Sequence, residues 1–404
     1  MGIEVTPCAS LEEVTGAFAP IWHYFGGRPT PEDIERFSTL LPIDRVHAAR
    51  ENGRIIGGAS SFPFEMTTPG GTVRAAGTTV VGVLPTHRRR GVLRSMMRAQ
   101  LDAIHERQEP VAYLWASEET IYGRFGYGMA SVSCDFDLPK SHGEFVQRFE
   151  PRGELRMLEE EEALAPFAEI YERVRPLHPG MFARSEDWWK LRKLNDPEAR
   201  RAGGGPLNRI LLTLDGRPEA YALYRMHQSL ELGISSGHIS VIEAIGTSPD
   251  ATRETWRFLL DIDWTARVKA QLLPIDHPLF LLLARPRMMR LRVADALWVR
   301  LVDVNAALAA RSYGPGGPVV LEVADAFCPW NAGRFRVSRD GVERTTAEAD
   351  LSLDVTALGS MYLGGFSAER LAQAGRGAEL RAGGLTRATN IFAADRAPWC
   401  PEIF

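Results

Sequence analysis

The chain has 404 residues, 45% of them apolar and 24% charged, with a formal net charge of −4. That balance excludes a disordered or fibrous chain and gives no whole-protein attraction to nucleic acid or an anionic membrane. The length predicts two or three domains. Cys8, Cys134, Cys328 and Cys400 form neither a C-x-x-C pair nor a metal spacing. No signal-like start and no run of about 18 apolar residues occurs, so a soluble, cytoplasmic protein without a metal is expected.

Ile3 and Val5 mark a short first strand. Ser10, with Glu13 three residues on, has the pattern of a reciprocal helix cap, and the helix runs towards Phe18. The aromatic cluster Trp22-His23-Tyr24-Phe25 ends in Gly26-Gly27, and Pro31 opens a second helix through Leu41. Residues 46–50 and 54–64 flank Asn52-Gly53, a strong hairpin signal. A further strand over 72–76 leads into residues 78–83, β-branched and apolar, which Pro85 terminates.

Arg88, Arg89, Arg90 and Gly91 then turn the chain into a segment with apolar residues at Val92, Leu93, Met96, Met97, Leu101 and Ile104, a helical spacing. A strand, a basic turn, a glycine and a helix start make a junction suited to an anion. Free N–H groups and the helix dipole point at a ligand there, glycine lets it approach, and guanidinium groups match phosphate geometry. The arginines alone also suit a solvated helix start. The spacing is neither a nucleotide P-loop nor Gly-x-Gly-x-x-Gly. Pro110 precedes a strand ending at Ser117, and Ile121 to Gly128 (IYGRFGYG) is a glycine-rich turn that aims aromatic rings.

The R-x-x-G-x-L turn resembles the pyrophosphate cradle of the GCN5-related N-acetyltransferases (GNATs), which holds coenzyme A. Together, PTHRRRG at 85–91, ASE at 116–118, IYGRFGYG at 121–128 and a chain ending in phenylalanine resemble the Eis (enhanced intracellular survival) family of bacterial N-acetyltransferases. The resemblance implies a mixed α/β (α+β) chain of three parts. These are a catalytic acetyltransferase domain over 1–138, a degenerate one over 139–285, and a sterol-carrier-like domain over 286–404 that delivers the chain end.

The rest of the chain agrees with that order. Residues 159–162 read as a solvated, acidic helix face. A hairpin at Gly216, strands over 220–227 and 238–245 and a helix over 251–260 repeat the pattern seen between Gly53 and Leu101. In the repeat the arginine turn is replaced by GTSPDAT at 246–252, where Asp250 would repel a phosphate. Trp188-Trp189 reads as core, with one indole placed by the resemblance on the acceptor wall. The last third carries strands, a turn at Asp340-Gly341 and two helices. Its proline-stiffened, apolar tail, Pro398 to Phe404, reads as docked.

The resemblance implies acetyl transfer from a thioester to an amine; with no nucleophile elbow or cysteine–histidine dyad present, direct attack without a covalent enzyme intermediate fits it, and no H-E-x-x-H spacing points to a metal. By resemblance, Tyr122 is the general acid and the α-carboxylate of Phe404 the general base. A chain-end carboxylate of pKa about 3.5 is a weak base in water, and burial would raise it. Acetyl-CoA contacts carry over to Val81, Gly82, Val83, Arg89, Arg90, Gly91, Val92, Leu93, Arg94, Ser117 and Glu118. Trp115 departs from the family, which often shows histidine there, and Glu119-Thr120 replaces a Gly-Gly pair. The resemblance implies primary amines of cationic small molecules such as aminoglycosides as acceptors, and a homohexamer. Asp33, Glu32 and Glu402 are acidic candidates for the acceptor wall, each otherwise read as an exposed surface charge. A protein-lysine acetyltransferase and a lipid carrier built on the third region are the alternatives. Nucleic-acid and membrane partners are not expected.

Overall fold

A computed structural model describes residues 2–404. The chain divides into two compact units, the first made of residues up to Ser131, Ala296–Pro398 and Ile403–Phe404, the second of Val132–Asp295 and Trp399–Glu402.

The first unit opens with β1 (Glu4–Pro7), α1 (Leu11–Tyr24), α2 (Pro31–Leu40), β2 (Val46–Glu51), β3 (Arg54–Thr68) and β4 (Gly71–Val83). It continues with α3 (Val92–Glu106), β5 (Val111–Trp115), α4 (Glu119–Tyr122) and β6 (Gly128–Met129). Of the expected reciprocal cap at Ser10 one half forms, and Glu13 reaches back to Ala9 rather than to Ser10. The Ser10 hydroxyl accepts from the Glu13 N–H at 3.3 Å, and the Glu13 carboxylate accepts from the Ala9 N–H at 2.8 Å. Asn52 and Gly53 stand at φ 52° and 77°, the left-handed pair that a two-residue hairpin requires. Strands β1 to β4 are antiparallel neighbours, and β5 joins β4 in parallel. Helix α1 crosses this sheet very closely. A Cβ on Gly58 would lie 2.1 Å from the Ala17 carbonyl oxygen, and one on Gly82 would lie 2.7 Å from the Ile21 nitrogen. Gly82 is therefore a packing requirement as well as part of the expected cofactor strand.

The second unit contains β7 (Val132–Pro139), β8 (Glu154–Met157), α5 (Glu160–Val174), α6 (Glu186–Trp188), β9 (Asn208–Leu214) and β10 (Arg217–His227). A small hairpin, β11 (Leu230–Glu231) and β12 (Ile234–Ser235), precedes β13 (His238–Gly246), α7 (Pro249–Asp261), β14 (Arg267–Pro274) and β15 (Arg292–Asp295). Its sheet runs β15-β7-β14-β13-β10-β9-β8, with β13 and β14 parallel. The expected hairpin at Gly216, the two long strands and the helix beyond them are all present.

The chain then returns to the first sheet. β16 (Leu297–Leu301) pairs antiparallel with all of β5, from Leu297 opposite Trp115 to Leu301 opposite Val111, and also with β6. A separate sheet follows in the order β19-β18-β17-β20-β21. Its strands are β17 (Val319–Ala324), β18 (Gly333–Ser338), β19 (Gly341–Arg344), β20 (Leu351–Asp354) and β21 (Ala378–Glu379), packed with helices Val355–Tyr362 and Gly384–Phe392. Fully buried Arg300 of β16 is ion-paired with Asp325 at 2.6 Å. The tail is docked as expected: Trp399, Cys400, Pro401, Glu402 and Phe404 are buried, and only Ile403 of these last six residues is exposed. No helix among the described residues is long and apolar enough to cross a membrane.

Candidate active site

The site of interest is the point where two parallel strands part. β4 and β5 pair from Ala75 opposite Val111 to Gly77 opposite Tyr113, and there the ladder ends. β4 runs on to Val83 with only β3 beside it. A register shift opposite Gly58–Ser60 puts Val80 at φ 53°, an uncommon backbone for a β-branched residue and the mark of a bulge. The bulge bends β4 and helps to open a wedge between the strands. Val81, Gly82 and Val83 lie on the free part of β4, while Ser117 and Glu118 follow the end of β5. The Tyr24 hydroxyl donates to the Val83 carbonyl at 3.0 Å and holds the strand end.

Beyond β4 the basic turn meets α3. Gly91 is the N-cap at φ 86° and offers no side chain, so no side-chain group caps the first N–H groups of the helix. A Cβ on Gly91 would meet nothing within 4 Å; the left-handed backbone, rather than crowding, is what favours glycine. Arg89 is also left-handed, at φ 61°. Arg88, Arg89 and Arg94 are exposed, with the Arg94 guanidinium 5.3 Å from the Phe327 ring. Arg90 is differently placed, because its guanidinium is ion-paired with Glu51, which His87 also approaches at 3.4 Å. Val92 is buried against Ala49, Ile56, Ala59 and Met96, and partly buried Leu93 packs on the same cluster. What Val92 can offer a ligand is its backbone.

Side-chain parity places different groups on the two faces of the parting strands. Ala76 and Ala112 share a cluster with Met97 and Leu101 of α3, together with Tyr122 and Tyr127. Tyr122 is 6% exposed, and its ring meets Tyr127 edge-on with centroids 5.9 Å apart. The Tyr127 hydroxyl is 3.1 Å from Oγ1 of Thr78, two residues beyond Ala76 on the same face. Burial, helped by the Glu118 charge, pushes the Tyr122 phenol up to about 12.

Gly77 and Tyr113, the last pair before the strands part, face the other way, and Phe404 sits there. Its ring lies 4.8 Å from Tyr113 and 5.1 Å from Phe64, edge-on to both. A Cβ on Gly77 would lie 2.4 Å from Phe64 and 3.2 Å from Phe404, so this glycine makes room for the terminal ring. Trp115, two residues beyond Tyr113 on the same face, has a buried indole N–H with no hydrogen-bond partner. The parting of β4 and β5 is thus flanked by a phenol on one face and by the chain's last residue on the other.

The acidic candidates are placed otherwise. Asp33 is used up in capping α2 through Thr30 and in an ion pair with Arg36 at 2.5 Å, and Glu32 is exposed. Glu402 is buried inside the second unit. There its Oε2 accepts from Trp188 Nε1 at 3.0 Å and lies 3.0 Å from Arg184. Trp188 and Trp189 are both buried, as a core reading expects. Thr78 and the Phe64–Tyr113 floor escaped the sequence reading. The alternation of Phe62 and Phe64 along a strand was the one available signal. Among the described residues no group of three or more His, Cys, Asp or Glu could hold a metal.

The second unit repeats the geometry with different chemistry. β13 and β14 pair from His238–Arg267 to Val241–Ala270 and then part, and β13 also carries a bulge, opposite Leu223–Tyr224. Its helix α7, however, has a side-chain cap. The Ser248 hydroxyl accepts from the Ala251 N–H at 3.2 Å, Pro249 has no N–H, and Asp250 is ion-paired with Arg253 and Arg152 at 2.9 and 3.2 Å.

Comparisons with known proteins agree with this layout. Residues 9–130 and 180–301 each match an acetyltransferase (GNAT) domain family, and residues 304–401 match the sterol carrier protein domain. An uncharacterized N-acetyltransferase of Streptomyces coelicolor is 42% identical over 407 residues, 97% of this chain and 98% of its own. The N-acetyltransferase Eis of Mycobacterium tuberculosis is 34% identical over 364 residues, 86% of each chain. The crystal structure of Eis1 from Mycobacterium abscessus superposes with a TM-score of 0.87 at 36% identity, covering 99% of this chain and all (100%) of that one. With two acetyltransferase folds, a sterol-carrier-like fold and relatives of this extent, the chain belongs to the Eis family of GCN5-related N-acetyltransferases.

Proposed function

We propose that this N-acetyltransferase transfers acetyl from acetyl-CoA to primary amines of cationic small molecules, aminoglycosides among them, at the parting of β4 and β5. The observation that carries the reading is the pair of groups on the two faces of that parting, Tyr122 on one and Phe404 on the other. Uncapped N–H groups at the start of α3, Gly91 and exposed Arg89 suit the pyrophosphate, and Arg90 joins them by exchanging Glu51 for phosphate. Val81, Gly82 and Val83 offer backbone groups on the free edge of β4, Val92, Leu93 and Arg94 the first turn of the helix, and Ser117 and Glu118 the opposite strand end.

In this reading the Phe404 carboxylate takes the proton from the attacking amine, directly or through water, and Tyr122 donates to the leaving sulfur. With its phenol near 12, Tyr122 keeps its proton throughout any ordinary assay range. Full transfer to a thiolate of pKa about 8.5 costs about 5 kcal/mol at that value. The phenol therefore acts first as a hydrogen-bond donor to the developing charge. Partly exposed Trp115 gives the acceptor side a ring face that attracts ammonium groups. A homohexamer is part of the same reading and is checked by light scattering.

One apolar pocket in the third region bears on the carrier alternative. The apolar cavity bounded by Leu351, Leu353, Met361 and Leu371 measures only about 10 Å³, room for one water and not for a lipid chain. Thiol release from acetyl-CoA, measured with aminoglycosides, polyamines and lysine peptides, separates small-molecule from peptide acceptors. Extending the chain beyond Phe404 with a short tag is expected to remove most turnover while leaving acetyl-CoA affinity unchanged. Full activity in the tagged protein would reject the terminal carboxylate as base.

A further inference from the structure

Four charged side chains meet inside the second unit, and the catalytic reading uses none of them. Arg184 is fully buried and grips Glu243 with two hydrogen bonds, at 2.9 and 2.7 Å. Lys193 is 3.0 Å from the same carboxylate, and the Tyr221 hydroxyl donates to it at 2.6 Å. Burial alone would push the Glu243 carboxyl up, but Arg184 and then Lys193 bring it down to about 2. The Arg184 guanidinium lies over Tyr171 at 4.0 Å and Trp189 at 4.8 Å. The fourth charge is Glu402, held by Arg184 and Trp188 at 3.0 Å each and by Lys193 at 3.9 Å. Two cations thus balance two carboxylates, and one of the carboxylates comes from the tail.

The location of this cluster matters as much as its charge. Glu243 stands two residues past Val241, where β13 leaves β14. The Trp399 indole donates to the Leu272 carbonyl on β14, also two residues past the last pair. The tail therefore engages both strands just beyond their parting, directly at Leu272 and through Arg184 at Glu243. The corresponding opening in the first unit is the one assigned to acetyl-CoA.

A buried ion cluster is a poor source of stability, because desolvation offsets most of its attraction. Its best-attested use is to fix register, and apolar contacts alone would let the tail slide. Trp399 supplies apolar adhesion to the core of the unit. Glu402 fixes which tail residue sits where. Phe404 follows with Ile403 as the single residue between, so its Cα can lie no more than about 7 Å from that of Glu402.

We propose that Arg184, Lys193, Glu243 and Trp188 form a tail clamp, in which a former cofactor opening grips Glu402 and so positions the terminal carboxylate. Glu402 is a positioning residue, and the inference rests on Phe404 being the base. The test uses the full chain and Glu402→Gln, which leaves Arg184 and Lys193 with one carboxylate between them. Carboxypeptidase A release of Phe404, followed by mass spectrometry, reports tail docking independently of turnover. Release at least 10-fold faster, with kcat at least 10-fold lower and acetyl-CoA affinity unchanged, is expected. In a chain already lacking Phe404, the same substitution should have no further effect on kcat, a non-additivity that general destabilisation would not produce.

Unchanged release overturns the clamp, whatever happens to kcat. Faster release with full kcat sustains the clamp and rejects Phe404 as base, so the two failures are distinct. If Glu402→Gln folds poorly, Trp188→Phe removes one hydrogen bond to Glu402 while keeping an aromatic ring there. It should give an intermediate rate of release, and a wild-type rate would overturn the clamp.

Discussion

The two acetyltransferase folds of this chain share a bulged strand, a parallel neighbour that parts from it and a helix beyond, yet their openings differ in every group an anion would meet. In the first, α3 starts at bare Gly91 beside arginines, with donors left over. In the second, Ser248 satisfies one of the corresponding donors, Pro249 removes another, and Asp250 adds a negative charge. The two openings share backbone geometry and differ in chemistry. A strand–turn–helix junction becomes a phosphate site only where the helix start stays unsatisfied.

The comparison can be broken most forcefully at the phenol. Tyr122→Phe is expected to lower kcat about 100-fold, within the range for general acids, with acetyl-CoA affinity unchanged in calorimetry. An unaltered kcat would reject the acid role. The wild-type profile should also lack a falling alkaline limb from this group below about pH 12.

Acid sensitivity should appear in both units, through one buried histidine in each. Burial, and then nearby Arg107, brings His47 of the first unit down to about 4; burial, and then His178, brings His277 of the second down to about 3. His277 must stay neutral to accept the Leu279 N–H at 3.1 Å. Because the unfolded chain binds these protons near pH 6.5, the stability they contribute is complete above that value. It is lost as pH falls towards 4 and 3, by up to roughly 3 kcal/mol for His47 and about 5 kcal/mol for His277. Melting temperatures from pH 7 to 4 should fall steeply, and His47→Gln and His277→Gln should flatten the slope separately. An unchanged slope in either variant would remove that histidine from the account.

Charge reversal sharpens the contrast between the two openings. Arg89→Glu should weaken acetyl-CoA binding at least 10-fold, as expected for losing a charge-assisted phosphate contact. Arg253→Glu, in the first turns of α7, should leave it unchanged; equal effects would mean that both openings bind. The smallest effect is expected at Gly91→Ala, where the left-handed backbone costs about 1 kcal/mol and affinity should fall roughly fivefold. A wild-type affinity there would show that the turn does not depend on glycine.

Much of this was legible in local sequence, because local rules govern it. Asn52-Gly53 forces a hairpin, Ser10 and Glu13 cap a helix, and Gly91 breaks β4's basic turn into α3. The docked tail was legible because apolar residues and prolines seldom end a solvated chain. Long-range pairing was not. The return of β16 to β5 joins residues more than 180 positions apart, and neither strand carries a mark of its partner. Helix Gly384–Phe392 lacks a capping side chain and went unnoticed. Glu402 read as surface charge because its partners, Arg184, Trp188 and Lys193, sit over 200 positions away. Gly82 read as a cofactor contact, while the approach of α1 that also demands it is visible only in three dimensions.

The central claim is that the α-carboxylate of Phe404, whose ring is seated against Tyr113 and Phe64 where β4 and β5 part, is the base for acetyl transfer. Semisynthesis that converts the Phe404 carboxylate to a carboxamide keeps the ring and removes only the charge, so single-turnover acetylation of an aminoglycoside by that protein tests it most directly. The account predicts a rate at least 100-fold lower than wild type with acetyl-CoA affinity unchanged. A carboxamide protein that acetylates at the wild-type rate would contradict it.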